Sequence, residues 1–193
     1  MQQRSEETRT HILEAALKRF ANHGYNAASV DQICVDANVS KGAFYHHFPS
    51  KQAVFLELLR GWLAAIDAGF EAVRQPTVPE TLMQMTGTLP AIFASADDRL
   101  PMFLEFWLQA SRDEKIWEAT ISPYRHYQEY FTSLVQRGID EGSFAPVDPQ
   151  SAAQMIVSLA VGLLLQGLLD PDGSDWEKVA RESMQVVLRG LQK

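Results

Sequence analysis

Residues 29–51 read SVDQICVDANVSKGAFYHHFPSK, and their spacing admits few folds. Ser29 followed three positions later by Gln32 is a capping box, so a helix starts there. Val30, Ile33 and Cys34 give that helix one apolar face. Asp36, Ala37 and Asn38 break the pattern, Val39 can pack inward, and Ser40 is placed to cap a second short helix reaching His47. Two short helices on so tight a connection have the form of a helix-turn-helix.

The second helix has two unlike faces. At 3.6 residues per turn Phe44 and Phe48 share one side, which needs a core. Gly42 and His46 lie opposite, with Ala43 and Tyr45 beside them and Lys41 at the leading edge. Such a face can enter a groove closely and still donate hydrogen bonds to bases and phosphates. The expected division gives Lys41, Ala43 and His46 to base edges, with Gly42 permitting the close fit. Ser29, Ser40, Tyr45 and Lys51 position phosphates. His47 flanks the core, with a phosphate contact as its second reading. Pro49 ends the helix and Ser50 caps the next, so Lys51 falls in a first turn. The helix dipole disfavours a cation there, and a nearby phosphate would resolve the conflict.

Residues 8–51, with ILEAALKRFANHGYNAASVDQIC followed by VSKGAFYHHFPSK, closely resemble the DNA-binding domain of the TetR family of bacterial transcriptional regulators. Phe20, Gly24, Tyr25, Ile33, Val39, Gly42, Tyr45, Phe48 and Lys51 fall where that family places such residues. The resemblance covers about a quarter of the chain. It implies that the remainder, with its matching length and all-helical pattern, is a ligand-binding and dimerisation domain.

Charge is divided unevenly. The net charge is −7. Residues 1–51 hold six Lys/Arg against five Asp/Glu (+1), and the remaining eleven against nineteen give −8. DNA affinity must then come from locally placed cations and helix ends, not from a globally basic surface. One cysteine, Cys34, excludes an intrachain disulfide and fits a reducing interior. It sits on the apolar side of its helix, as a core residue more readily than a redox sensor. The first ten residues lack the apolar run of a signal peptide. Residues 152–169 reach membrane-span length but contain Gln154, Ser158, Gly162, Gln166 and Gly167, so a buried helix is expected. The expectation is a cytoplasmic protein with no membrane partner.

In chain order, the expected fold is all-α: a three-helix DNA-binding domain over residues 1–51 and a larger helical domain over 52–193. The first helix spans about 5–23, with Ile12, Ala16 and Phe20 on one stripe and Arg4 in a basic arm before it. A long helix runs over 50–74. Others follow over 80–94, 99–111, from Ser122-Pro123 to near Gly138 or Gly142, 149–169, and from a second capping box, Ser174 with Glu177, to 191.

Helices 152–169 and 174–191 carry more apolar surface than one chain can cover, which predicts a homodimer through a two-fold four-helix interface. Paired reading helices also suit half-sites about one DNA turn (or a multiple) apart. In the middle helices Trp62, Phe70, Phe93, Phe103, Phe106, Trp107, Tyr124 and Tyr127 form an aromatic group. It can be ordinary core or can line an adaptable pocket. Resemblance to TetR regulators implies the pocket, because that family encloses its inducer in this region. The expected function is therefore a repressor released from a palindromic operator by a small, largely apolar molecule. The alternatives are a helical interaction or sensor protein that no longer reads DNA, and an enzyme. No catalytic, Walker or dinucleotide motif supports the last. No cofactor or metal is expected, since the adjacent His46 and His47 point apart on a helix.

Overall fold

The computed structural model describes residues 2–73, 75–88 and 100–192, and the described residues form nine α-helices and no strand. They are α1 (Gln2–His23), α2 (Val30–Asp36), α3 (Lys41–His47), α4 (Lys51–Glu71), α5 (Val78–Thr86), α6 (Leu100–Ala110), α7 (Glu114–Asp140), α8 (Pro149–Leu169) and α9 (Trp176–Leu191). The chain divides into two compact units, Met1–Ala64 with Ala96–Thr120 and Ala65–Ser95 with Ile121–Lys193. Helices α4 and α7 supply residues to both.

The first unit is built around the α1 stripe. Ile12, Ala16 and Phe20 are buried against Ile33 of α2, Phe44 and Phe48 of the α3 end, and Val54, Phe55 and Leu59 of α4. Phe106 of α6 and Ile116 of α7 complete this core, with the Phe106 and Phe55 rings 4.3 Å apart. The second unit packs Val78, Leu82 and Met85 of α5 against Phe131, Leu134 and Val135 of α7. Ala153, Ile156 and Val157 of α8 and Met184, Leu188 and Leu191 of α9 close it. Gly138 matters here because the Phe144 ring lies on the α7 backbone. A Cβ on Gly138 would meet that ring at 2.4 Å.

Several element boundaries differ from those expected, each for a local reason. α1 begins at Gln2, so Arg4 is in a helix and not in an arm. α5 begins at Val78, not at 80, because Thr77 and Glu80 form a capping box and a proline is tolerated in the first turn. Gly87 caps its end, and residues 89–94 of the expected helix lie outside the described residues. α7 runs through Pro123 from Glu114 instead of starting at Ser122. Asp113 supplies the missing start signal: its Oδ1 accepts from the N–H groups of Lys115 and Ile116. The last helix is capped by Asp175, whose carboxylate accepts from Lys178 N–H, so the box expected of Ser174 and Glu177 is not made. α8 starts as expected, with Asp148 as its N-cap. Its stretch Pro149–Gly167 is long and apolar enough to cross a membrane, but Ala153, Ile156 and Val157 are part of the core.

Candidate nucleic-acid interface

Each end of α2 and the start of α3 is fixed by its own sequence. Ser29 Oγ accepts from Gln32 N–H, and the Gln32 side chain accepts from Ser29 N–H. At the other end Val39 N–H reaches back to Cys34 O at 3.0 Å, and Asn38 adopts φ 53°. This is a six-residue closing bond around a left-handed residue, a conformation asparagine accepts more readily than most. Ser40 Oγ then accepts from Ala43 N–H at 3.1 Å and starts α3.

Phe44 is 0% exposed and Phe48 4%, so α3 is held from behind. Gly42, Tyr45 and His46 are exposed, while Ala43 and His47 are half-buried. The Tyr45 ring packs edge-on against Phe44 at 5.3 Å. A Cβ on Gly42 would meet only Ser40 Oγ at 3.7 Å, which is ordinary contact. Nothing inside the protein demands glycine there. The His46 and His47 rings lie 5.1 Å apart at 79°, and no group of three metal-binding side chains occurs among the described residues.

The two lysines of the motif are both engaged. Lys41 Nζ is 2.7 Å from Asp31 Oδ1, an exposed pair between α3 and the first turn of α2, and the hydrogen bond to Asp31 holds the ammonium above its ordinary range. Lys51, expected to position a phosphate, has partners within the protein. Its Nζ donates to Tyr25 O at 2.7 Å and Ala28 O at 2.8 Å, and it lies over the Tyr25 ring at 4.2 Å. Burial lowers its pKa, opposed by the field of Glu105. This charge ties the loop between α1 and α2 to α4. That loop is also held by Glu105 of α6, whose Oε1 accepts from Tyr25 N–H at 3.0 Å. Arg19 pairs with Asp36, the last residue of α2, through two bonds. Cys34 is buried, and burial raises its thiol pKa, which disfavours the reactive thiolate.

A cavity of about 780 Å³ opens in the second unit. α4 lines it with Asp67, Phe70 and Glu71, and α7 with His126, Tyr127, Tyr130 and Arg137. Phe70 stacks on Tyr130 at 5.9 Å and 11° and meets Tyr127 edge-on at 5.9 Å. Burial, together with a hydrogen bond to Asp67, pushes the Tyr127 phenol far above its ordinary pKa. Of the eight aromatics expected to form one pocket, Phe70 and Tyr127 line this cavity. Phe106 is core of the first unit, Trp62 packs on that core, and Trp107 is 46% exposed in α6. Tyr124 packs on the core of the second unit, where its hydroxyl accepts from Gln128. The Phe103 side chain and Phe93 lie outside the described residues. Sequence reasoning passed over Asp67, although it is the one charged residue in residues 61–70. Tyr130 and Arg137 follow Tyr127 at three and ten positions, one helical face.

Similar proteins agree with this architecture. A family model for bacterial regulatory proteins of the tetR family matches residues 12–58. One described as BetI-type transcriptional repressor, C-terminal, matches residues 79–191, more than half of the chain. The HTH-type transcriptional regulator YhgD of Bacillus subtilis (strain 168) is 28% identical over 173 residues, 86% of this chain and 83% of that protein. The HTH-type transcriptional repressor KstR2 of Mycolicibacterium smegmatis is 26% identical over 140 residues, 72% of this chain and 68% of its own. Among solved structures, a transcriptional regulator from Saccharomonospora viridis in complex with choline shares the fold with a TM-score of 0.82. It is 22% identical, over 97% of this chain and 99% of that one. With a capped helix-turn-helix inside the first match and the second match covering more than half of its residues, the chain belongs to the TetR family of DNA-binding transcriptional regulators.

Proposed function

We propose that the protein is a cytoplasmic homodimeric repressor that reads a palindromic operator with α3. It leaves that operator when a small organic cation occupies the cavity beside Asp67. The DNA half of this reading is carried by one observation. α3 is locked from behind by Phe44 and Phe48, while Gly42, Tyr45 and His46 face outward with no structural need for the glycine. Lys41, Ala43 and His46 address base edges. Ser29, Ser40 and Tyr45 address phosphates, and His47 flanks the core with a phosphate contact as its second reading. Residues 1–51 carry recognition, and 52–193 carry response and pairing.

Pairing is supported by apolar surface that the single chain leaves open. Met155, Leu165 and Leu169 of α8 and Val186 of α9 are 45%, 38%, 72% and 68% exposed. A second copy would cover them through the same two helices, in an isologous contact.

The ligand chemistry follows from the lining. Phe70, Tyr127 and Tyr130 offer aromatic faces, and Asp67 and Glu71 outnumber Arg137 in fixed charge. Aromatic faces with carboxylates favour a positively charged group on a small apolar body. The structural relative that binds choline has this same fold. A ligand releases DNA only by favouring the geometry that cannot bind it.

Selection of bound duplexes from a random pool tests the first half: an inverted repeat should be enriched, and a pool that stays random sinks it. For the second half, choline and its uncharged isostere 3,3-dimethylbutan-1-ol are compared by thermal shift. Choline should stabilise the protein and the isostere should not, and equal responses would refute charge selection.

A further inference from the structure

The helix-turn-helix carries a charge balance that is unusual for a protein that binds a polyanion. Residues 29–51 hold two lysines, Lys41 and Lys51, and two aspartates, Asp31 and Asp36. Lys51 is turned to the backbone carbonyls of Tyr25 and Ala28. Lys41 is therefore the lysine of this motif that remains at the outer surface, and its ammonium lies 2.7 Å from Asp31 Oδ1. The side chains of both partners are more than 60% exposed (Lys41 62%, Asp31 65%), so neither is held there by the core. Asp36, the other acid of α2, is turned to Arg19.

This pairing has a consequence for binding to DNA of any sequence. Non-specific affinity comes almost wholly from cations that displace counter-ions from phosphates. A lysine already neutralised by a neighbouring carboxylate displaces few, and the carboxylate itself is repelled by the backbone. At a correct site the base-edge contacts of α3 position Lys41 and compensate for separating the pair. At a random site nothing does. Specificity is a difference of affinities, and weakening the wrong complex raises it as surely as strengthening the right one. We propose that Asp31 is a specificity-determining residue: by holding Lys41 it suppresses binding to non-operator DNA. The inference rests on the DNA-reading role proposed above for α3.

The test uses the full chain and two fluorescent duplexes, one of random sequence and one carrying the selected inverted repeat, from 50 to 200 mM salt. Asp31→Asn should tighten the random duplex about three- to tenfold at the lowest salt, and steepen its salt slope by up to about one unit per head, as one regained phosphate contact requires. The selected duplex should gain less, so the ratio between the two falls. Asp31→Ala, which places the best helix former inside α2, should do the same and separates the charge from any local loss of α2. In a Lys41→Gln background the effect of Asp31→Asn on the random duplex should disappear. An unchanged random-duplex affinity in both Asp31 variants, with the selected duplex still bound, overturns the role of Asp31 and leaves the operator reading intact. A gain that persists without Lys41 also overturns it, since the carboxylate then acts alone. If wild type and variants bind neither duplex, the DNA-reading proposal falls with it.

Discussion

At the residue scale, side chains of one type take opposite roles according to what surrounds them. Lys41 stands exposed beside a carboxylate, whereas Lys51 closes two carbonyls and covers a phenol ring. Replacing Lys51 by Met removes two charge-assisted hydrogen bonds from a partly exposed site. Screening by water puts the expected loss at the low end, about 1–2 kcal/mol. A lower Tm in thermal denaturation checks it, and an unchanged Tm would show that the tether is idle. Gly42→Ala should behave in reverse. The folded chain has room for the methyl group, so Tm should hold while affinity for the selected duplex drops. Wild-type affinity would mean that the groove does not approach this close. Carboxylates set the acid limit. The hydrogen bond from Arg19 lowers the pKa of Asp36, and those from Ser151 lower that of Asp148. A depressed folded-state pKa stabilises the fold above the unfolded value of about 3.9 and ceases to do so as pH falls through the folded one. Tm should therefore decline below about pH 4, and less steeply in Asp148→Asn. Parallel declines in the two proteins would exclude Asp148 as a contributor.

At the scale of elements, some helix starts are legible from a single local signal, although the Thr77 and Glu80 box that opens α5 was passed over. Ser29 with Gln32, and Asp148 before Pro149, act as the spacing indicates. Where two signals compete, order along the chain misleads. Ser122-Pro123 looks like a start, yet Asp113 caps α7 nine residues earlier and the helix continues through the proline. A proline inside a helix removes one hydrogen bond and crowds the carbonyl four residues back. Pro123→Ala should therefore stabilise the protein by about 1–3 kcal/mol, read as a rise in Tm. A fall would mean that the packing of α7 requires the proline ring. Ser174 lost to Asp175 for a related reason: both are good caps, and the packing of Ala180, Met184, Leu188 and Leu191 fixes where the turn begins.

For the whole molecule, the decisive surface is the exposed apolar face of α8 and α9. Leu169 and Val186 are the most exposed large apolar residues on these helices. Val186→Glu should yield a chain of single-subunit mass by light scattering, with helical content retained. It should also lose most affinity for a two-half-site duplex, because one head then binds without its partner. A dimer that survives Val186→Glu and Leu169→Glu together would place the interface elsewhere.

Helix α3 is the part that the sequence by itself determined. Its caps, its turn and its two-faced character arise from interactions within a few residues, and these are written in local spacing. Tertiary structure decided what depends on partners far along the chain. Lys51 meets carbonyls more than twenty positions before it. The expected aromatic group is divided between two cores, and the cavity gains Asp67 and Tyr130. Periodicity tells which face of a helix is apolar, but not which neighbour that face meets. A charge or a ring takes its role from that neighbour.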